Sequence, residues 1–305
     1  MNSINTKKKE ILISEHIPEG IFGGDMPGDK LLISKQHIAK ASKLLPYIFE
    51  SICQKQEKEK TKIVISIFGG SGAGKSEIAS LLAFFLRENG INTYVLSGDN
   101  YPLRTPYFND AERLRIYRYS GIKTLIKNDM YKESNRMLLE DLWLRCLDAD
   151  PLLRERHDFL LCYQMGARIG LKQYLGSKKE IDFDLVNSVI ADFKNRKEKI
   201  YLKRMGRLET DVYFQEIDFS DTEVMIVEWT HGNSNLLEGA DIKVMINSTP
   251  EATQQHRRDR NRDNNTDSPF TNVVLAIEQE LLDDQKNFAD FIIDSNKIIV
   301  NDVDC

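Results

Sequence analysis

The sequence predicts an α/β fold in which helices cover a central parallel sheet of five strands. Two observations carry the prediction: short β-branched apolar segments recur along the chain, and amphipathic helical segments separate them. The candidate strands cover residues 63–68, 91–96, 223–227 and 242–246, with a late strand near Ile298. Because the stretch between the second and third strands is far longer than an ordinary crossover, we expect a helical insertion over about residues 105–180.

Ahead of the first strand, residues 1–60 are predicted to form an N-terminal extension with one amphipathic helix. Apolar side chains recur at three- and four-residue steps over about residues 34–53, which is typical of a helix with one buried face. That face is expected to cover either the sheet or a second subunit. The charged run over 54–62 is interpreted as a surface linker, and residues 61–305 are predicted to form the main domain.

The composition is that of an ordinary globular protein. Of 305 residues, 42 are Lys or Arg and 47 are Asp or Glu, which gives a formal net charge of −5. This mild acidity argues against non-specific binding to nucleic acid or to an anionic membrane, and no apolar run is long enough to cross a bilayer. The first residues lack an apolar leader and the four cysteines lie far apart, so we expect free thiols and a cytoplasmic location.

A glycine-rich motif lies between the first strand and the helix expected over about residues 74–88. Residues 69–76 fit the pattern G-x-x-x-x-G-K-[ST], in which backbone N–H groups and a helix N-terminus surround phosphate oxygens. The motif predicts a three-layer P-loop NTPase fold that binds ATP with Mg²⁺, with Lys75 on the β- and γ-phosphates and Ser76 on the metal. The predicted nucleotide-binding residues are Gly69, Gly70, Ser71, Gly72, Ala73, Gly74, Lys75 and Ser76.

Acidic residues follow two of the predicted strands at their carboxyl ends, where ligands collect in parallel sheets. Asp99, after the second strand, is predicted to accept or orient the proton of an attacking hydroxyl, although its neighbours also form a natural turn sequence. Glu228, which ends the third strand, is predicted to hold Mg²⁺ through water, and the alternative is a strand-end charge that faces solvent.

An arginine-rich segment follows the fourth strand. Arg258 and Arg262 are four residues apart and share a helix face, and guanidinium groups stabilise the charge that develops on a phosphoryl group during transfer. We therefore predict a mobile lid over about residues 252–268, with Arg258 and Arg262 as catalytic residues. Because Asp259 and Asp263 are interleaved, a solvated helix with internal ion pairs is the alternative.

These features together resemble the uridine kinase, phosphoribulokinase and pantothenate kinase group of P-loop kinases. The resemblance covers roughly residues 60–300 and rests on the glycine-rich motif, the segment 98–101, Val227-Glu228 and the arginine-rich segment. A guanine-specificity motif and an LSGGQ-like signature are both missing from the sequence, which argues against a GTPase and a transport ATPase. The resemblance implies transfer of the γ-phosphoryl group of ATP, with Mg²⁺, to a hydroxyl of a nucleoside, a sugar phosphate or a similar acceptor.

The acceptor site is predicted from aromatic and basic residues between the glycine-rich motif and the lid. We expect Tyr101 to contact the acceptor, and the resemblance implies the same for Arg204 and Arg207. His231 is a further candidate to orient the acceptor, although a strand-end histidine is more often solvated. Other candidates, each of which taken singly fits a core aromatic or a surface charge better, are Arg104, Tyr107, Arg113, Arg115, Tyr117 and Arg118.

Two alternative functions stay open at this stage. The segment 98–100 also resembles part of the adenylylsulfate kinases, and the chain has Glu228-Trp229 where the uridine kinase group has Glu-Gly. The second alternative is a nucleotide-dependent sensor or assembly module without a small-molecule acceptor. The expected partners of the kinase are ATP and an acceptor with a hydroxyl group, and an oligomer is compatible with the apolar helix of the extension.

Overall fold

The computed structural model describes residues 11–14, 17–18, 20–21, 23–28, 31–59, 61–249, 251–254, 268–294 and 297–301. The helices in these parts of the chain are α1 (Lys35–Glu59), α2 (Lys75–Glu88), α3 (Pro106–Lys127), α4 (Glu133–Leu144), α5 (Asp158–Tyr174), α6 (Phe183–Lys194) and α7 (Pro269–Gln285). The strands are β1 (Ile63–Gly69), β2 (Thr93–Ser97), β3 (Lys199–Met205), β4 (Val212–Asp218), β5 (Val224–Glu228), β6 (Ile242–Asn247), β7 (Phe291–Asp294) and β8 (Lys297–Val300).

The central sheet has the strand order β2-β5-β1-β6-β7-β8. The first five strands in this order are parallel to one another, which confirms the predicted parallel sheet of five strands. The strand expected near Ile298 is β8, which pairs antiparallel with β7 at the edge, so the sheet has one strand more than predicted. The fifth parallel strand is β7, which pairs with β6.

Both faces of the sheet are covered by helices. β1 is buried along its whole length, with Ile63, Ile65 and Ile67 in the core beneath α1 and α2, and Val64 in the core on the side of α6. This alternation is required of a central parallel strand, because successive side chains point to opposite faces. The glycine-rich motif follows such a strand directly, so its loop lies at the carboxyl edge of the sheet.

The N-terminal helix belongs to the core of the main domain. The apolar side chains of α1 pack against α2 and the sheet, and Leu44, Leu45, Ile48 and Ile52 are completely buried. The apolar face of α1 therefore covers the sheet layer of its own chain, which is one of the two arrangements that we expected. The linker interpretation of 54–62 was wrong, because α1 continues to Glu59 through Lys, Glu and Gln residues that favour helix.

The insertion over 105–180 is helical, as expected. Its helices α3 and α5 pack together, and with α4 and α7 they enclose a separate apolar core around Tyr117, Tyr163 and Ile277. The two-stranded hairpin of β3 and β4 was not predicted. Its strands mix charged and apolar residues, and β4 is exposed along most of its length, so no apolar run marks it in the sequence. No helix within the described residues is long and apolar enough to cross a membrane.

Candidate functional site

The glycine-rich loop has the backbone geometry of a phosphate-binding site. Gly72 and Gly74 have φ angles of 77° and 87°, in the left-handed region that side chains with a Cβ atom rarely adopt. A Cβ atom at Gly74 would also lie 2.8 Å from Nε2 of His37. Helix α2 starts at the next residue, so its N–H groups and its positive dipole end point at the space above the loop.

Lys75 lies across this loop. Its ammonium group donates a hydrogen bond to the carbonyl oxygen of Gly70 over 3.0 Å, and the side chain is half-buried. This position holds a mobile positive charge beside the N–H groups of the loop. The arrangement suits the predicted contact of Lys75 with the β- and γ-phosphates of a nucleotide.

Glu228 lies next to the loop, at the end of the strand beside β1. The Ser76 hydroxyl donates to its Oε2 over 3.2 Å, and the Ser97 hydroxyl donates to its Oε1 over 2.7 Å. Burial and the nearby Asp99 carboxylate raise the pKa of Glu228 to about 7, against the opposing effect of Lys75. Glu228 is buried, so the alternative of a strand-end charge in solvent was wrong.

The oxygen atoms of Ser76 and Glu228 suit Mg²⁺. A hydroxyl and a carboxylate are the hard ligands that this ion prefers, and Mg²⁺ in nucleotide sites takes its other ligands from phosphate and water. Within the described residues, no group of three or more His, Cys, Asp or Glu side chains is arranged to hold a metal ion without such a partner. The residues therefore fit an ion that is bound together with a nucleotide.

Asp99 is exposed in a 3-10 turn, Gly98–Asn100, directly after β2. Its carboxylate acts electrostatically on Glu228, His231 and Glu278, and the Lys75 ammonium acts on the same three groups. Asp99 and Lys75 therefore lie on the same side of the molecule, at the carboxyl edge of the sheet.

A cavity of about 1060 Å³ opens beside Asp99. Its walls come from the N-terminal segment, the insertion and the end of the hairpin, and they carry three aspartates and three arginines. Arg207, predicted to contact the acceptor, lies in this lining, as do Arg104 and Arg113. The lining residues are Met26, Pro27, Gly28, Asp99, Pro102, Arg104, Pro106, Asn109, Asp110, Arg113, Met205, Gly206, Arg207, Leu208, Thr210, Asp211 and Tyr213.

Tyr101 lies below the cavity surface. Its side chain is completely buried in the core on the α6 face of the sheet, and its hydroxyl has no hydrogen-bond partner in the described part of the chain. Two contacts connect residues 101–102 to residues 181–182. The Tyr101 carbonyl accepts from the Asp182 N–H over 2.9 Å, and Pro102 forms a β-bridge with Ile181. The structure thus places Tyr101 away from the position where we expected it to face the acceptor.

Arg204 is also buried, at 4% exposure of its side chain. Its guanidinium group forms an ion pair with Asp25 over 2.7 Å and donates to the Tyr94 hydroxyl and the Gln215 side chain. All of these partners of Arg204 belong to the protein itself. Arg207, three residues further along the chain, is exposed in the cavity lining.

Arg113 is anchored by Glu180, a residue that the sequence analysis missed. Arg113 donates to Glu180 over 2.6 Å, and the Asn109 amide and the Gly176 N–H donate to the same carboxylate. Burial opposes ionisation, but Arg113 holds the pKa of Glu180 below its usual range. Glu180 follows two lysines in the sequence and resembles a surface charge there, so no local signal identified it. Asp25, in an irregular glycine-rich segment, was missed in the same way.

His231 is buried next to this cluster. Burial lowers its pKa to about 4, and Arg113 and Lys75 act in the same direction, whereas Glu180 and Asp99 oppose them. The expectation of a solvated histidine was wrong, because the imidazole is buried against Gly176 and the Trp229 ring. The predicted lid lies mostly outside the described residues, and so do Arg258 and Arg262.

Comparisons with known proteins point to kinases. The sequence model of the adenylylsulphate kinase family matches residues 61–114. A curated relative, the bifunctional alpha-galactosidase/sucrose kinase AgaSK of Mediterraneibacter gnavus, is 38% identical over 232 residues, which are 76% of this chain. The match spans only 20% of the length of that protein.

Two solved structures resemble the fold at low identity. A candidate fructose transport system kinase from a Silicibacter species has a TM-score of 0.49 at 14% identity, over 80% of this chain and 94% of that one. A candidate uridine kinase from Bacillus stearothermophilus has a TM-score of 0.42 at 14% identity, over 81% of this chain and 100% of that one. All of these proteins are kinases by description.

Proposed function

We propose that this chain is an ATP-dependent kinase that transfers the γ-phosphoryl group to a hydroxyl of a small sugar. The observation that carries the proposal is the position of Asp99, between the glycine-rich loop and the cavity. Lys75, Ser76 and Glu228 lie on the nucleotide side of Asp99, and the cavity lies on its other side. A carboxylate in this position can serve a hydroxyl that enters from the cavity and faces a triphosphate on the loop.

In this mechanism the loop N–H groups and Lys75 bind the phosphates, and Asp99 accepts or orients the proton of the attacking hydroxyl. Mg²⁺, held at Ser76 and Glu228, would neutralise charge on the β- and γ-phosphate oxygens. Arg258 and Arg262 are proposed to supply further positive charge to the transferred group from the lid. Because there is little covalent chemistry for the protein to perform, rate enhancement depends on how accurately these groups are placed.

The charge of the cavity favours a neutral acceptor with many hydroxyl groups. The positive charges of its three arginines equal the negative charges of its three aspartates, and one of the arginines, Arg113, already forms an ion pair with Glu180. A cavity that binds an acceptor with a phosphate or a sulfate group would be expected to carry more arginines than aspartates. Carboxylates instead accept hydrogen bonds from sugar hydroxyls, and guanidinium groups donate hydrogen bonds to them. The similarity to a relative described as a sucrose kinase supports a disaccharide as the first acceptor to test.

The adenylylsulfate kinase alternative is supported by less of the chain. The match to that family ends at residue 114 and so covers the loop and the Asp99 turn, but only the start of the insertion that forms one wall of the cavity. A nucleotide-dependent module without an acceptor is the other alternative, and the large cavity beside Asp99 argues against it.

The test is a screen for acceptor-stimulated release of ADP. The purified protein is incubated with Mg-ATP and, in separate reactions, sucrose, other disaccharides, monosaccharides, sugar phosphates, uridine and adenylylsulfate. We expect stimulation by one or more neutral sugars. Stimulation by uridine, a sugar phosphate or adenylylsulfate alone would overturn the sugar assignment, and nucleotide binding with no stimulation by any compound would favour the module.

The matched variants are Asp99→Asn and Asp284→Asn. We expect Asp99→Asn to lower kcat about 10²- to 10⁴-fold with ATP affinity nearly intact, because it removes the proton acceptor and leaves the loop unchanged. Asp284 is an exposed carboxylate on α7, and its variant should retain wild-type kcat. Unchanged turnover in Asp99→Asn would refute the role of Asp99.

A further inference from the structure

The Asp25 carboxylate is enclosed by four hydrogen-bond donors from three parts of the chain. One oxygen accepts from the Ser97 N–H over 2.7 Å and from the Asn100 side-chain amide over 2.9 Å. The other accepts from the Tyr94 hydroxyl over 3.0 Å and from the Arg204 guanidinium over 2.7 Å. The side chains of Asp25 and Arg204 are 8% and 4% exposed, so the pair is shielded from solvent.

Two of these donors lie on either side of Asp99. Ser97 is the last residue of β2 and also donates its hydroxyl to Glu228. Asn100 ends the turn that carries Asp99, and its side-chain oxygen accepts from the Met205 N–H over 2.9 Å. The Asp25 carboxylate thus holds both ends of the Asp99 turn, and Asn100 connects that turn to the end of β3.

The chain on each side of the ion pair continues directly into the cavity wall. Met26, Pro27 and Gly28 follow Asp25, and Met205, Gly206 and Arg207 follow Arg204, and all six line the cavity. The same ion pair therefore joins two segments of the cavity wall. Gly24 also lies close to Glu228, since a Cβ atom there would be 3.4 Å from its Oε1.

We infer that the Asp25–Arg204 ion pair positions the acceptor site, by fixing the Asp99 turn and the two wall segments relative to the nucleotide loop. Neither residue is in the lining of the cavity, so we assign both as positioning residues, a role that differs from the acceptor contact expected of Arg204. A buried ion pair contributes little net stability compared with apolar packing, whereas its geometry is strict. The inference rests on the proposed kinase function.

The first test is Asp25→Asn. This variant keeps the shape of the side chain but removes its charge, and it brings an NH₂ group against one set of donors. We expect kcat with the accepted sugar to fall about 10- to 100-fold and the KM of the sugar to rise, since small displacements of reacting groups have effects of this size. The KM of ATP should stay within about two-fold, because the loop and Lys75 do not contact the ion pair.

The matched control is Asp241→Asn. Asp241 is held in the same way, by the Val64 N–H over 2.8 Å and the Lys194 ammonium over 2.6 Å, but it lies at the amino edge of the sheet. Its variant should lower stability while leaving kcat and both KM values unchanged. An equal loss of kcat in the two variants would overturn the positioning role, because general destabilisation would then explain both.

Two further variants cover the case in which Asp25→Asn does not fold. Arg204→Lys keeps the positive charge but replaces the two guanidinium nitrogens that donate to Asp25 and Tyr94 with the single nitrogen of a shorter side chain. Tyr94→Phe removes one hydrogen bond and no charge. We expect the loss of kcat to be larger for Arg204→Lys than for Tyr94→Phe, and wild-type kcat in Arg204→Lys would overturn the inference.

A readout without an acceptor separates this inference from the proposed function. Amide hydrogen exchange at residues 97–101 and 205–208 should accelerate in Asp25→Asn and stay unchanged in Asp241→Asn. If the wild-type protein phosphorylates none of the acceptors but exchange accelerates as expected, the kinase proposal fails and the positioning contact stands. If exchange in these segments is unchanged, the inference fails whatever the acceptor.

Discussion

The Ser76 hydroxyl, in the first turn of α2, donates a hydrogen bond to the Glu228 carboxylate at the end of β5 over 3.2 Å. The contact arises because β5 pairs with β1, which places the end of β5 beside the loop that follows β1. The two residues that the sequence analysis assigned to Mg²⁺ are 152 positions apart in the chain. In the fold their oxygen atoms lie next to each other, so the two residues could hold the same ion.

Glu228→Gln should weaken the binding of Mg²⁺. The amide keeps an oxygen for the Ser97 hydroxyl but loses the negative charge, so we expect the apparent affinity for Mg²⁺ to fall about 10- to 100-fold. Initial rates over a series of Mg²⁺ concentrations measure this, and high Mg²⁺ should restore part of the activity. Glu238→Gln, at an exposed carboxylate, is the control, and an unchanged Mg²⁺ profile in Glu228→Gln would contradict the assignment.

Lys75→Ala should weaken nucleotide binding as well as turnover. A charged hydrogen bond of this kind contributes about 1.5–3 kcal/mol, which corresponds to a loss of about 10- to 150-fold in the affinity for Mg-ATP. Calorimetric titration of the folded variant with Mg-ATP measures the loss. Lys127→Ala, at the exposed end of α3, should bind like wild type. Equal affinities in Lys75→Ala and wild type would show that the loop does not bind the triphosphate.

Leu45→Ala should destabilise the whole protein. Leu45 is completely buried between α1 and the layer formed by α2 and the sheet. Truncation leaves a cavity there, and we expect the free energy of unfolding to fall by about 2–5 kcal/mol, as measured by urea unfolding. Glu50→Ala, on the exposed face of the same helix, should change it by less than about 0.5 kcal/mol. A similar small change in both variants would mean that α1 is not part of the core.

Because His231 is buried, we expect the free energy of unfolding to fall in mild acid. The folded pKa is lowered to about 4 from an ordinary 6.5, so below pH 6.5 the unfolded chain binds a proton that the folded chain does not. Stability from this group is therefore complete above pH 6.5 and falls as the pH drops towards 4. Between pH 7 and pH 5 we expect wild type to lose about 2 kcal/mol more than His231→Gln.

Urea unfolding at the two pH values measures this difference. His157→Gln removes an exposed histidine and serves as the control, with the same loss as wild type. If His231→Gln and wild type lose equal stability on acidification, the buried imidazole is not kept neutral by the fold.

The parts of the site that could be predicted have local sequence signals. The glycine-rich loop is contiguous, and its left-handed residues must be glycines, so Lys75 and Ser76 were identified from spacing alone. Asp99 and Glu228 were selected because Asp99 closely follows one strand with a strong apolar pattern and Glu228 ends another, and parallel strands end at the same edge of the sheet. Arg207 was selected by resemblance, and it does lie in the cavity lining.

Where a residue was placed wrongly or was missed, its position depends on contacts between distant segments of the chain. Arg204 and Arg207 are three positions apart and look equivalent in the sequence. In the structure Arg204 lies in β3 and is buried against Asp25, whereas Arg207 lies beyond the end of β3 and is exposed. Tyr101 lies next to the Asp99 turn, but its side chain is buried in the core, and its carbonyl accepts from the N–H of the distant Asp182. Glu180 gains its role only because α3 brings Arg113 to it.

By itself the sequence determined the parallel α/β fold, the glycine-rich loop and the edge of the sheet where the candidate site lies. These follow from hydrophobic periodicity and backbone stereochemistry, which act over a few residues. Only the tertiary structure decided that the N-terminal segment builds one wall of the cavity and that Asp25 meets Arg204 beneath it. Pairing between segments 179 positions apart is set by the packing of the whole chain, because a buried charge finds its partner only where the fold brings one.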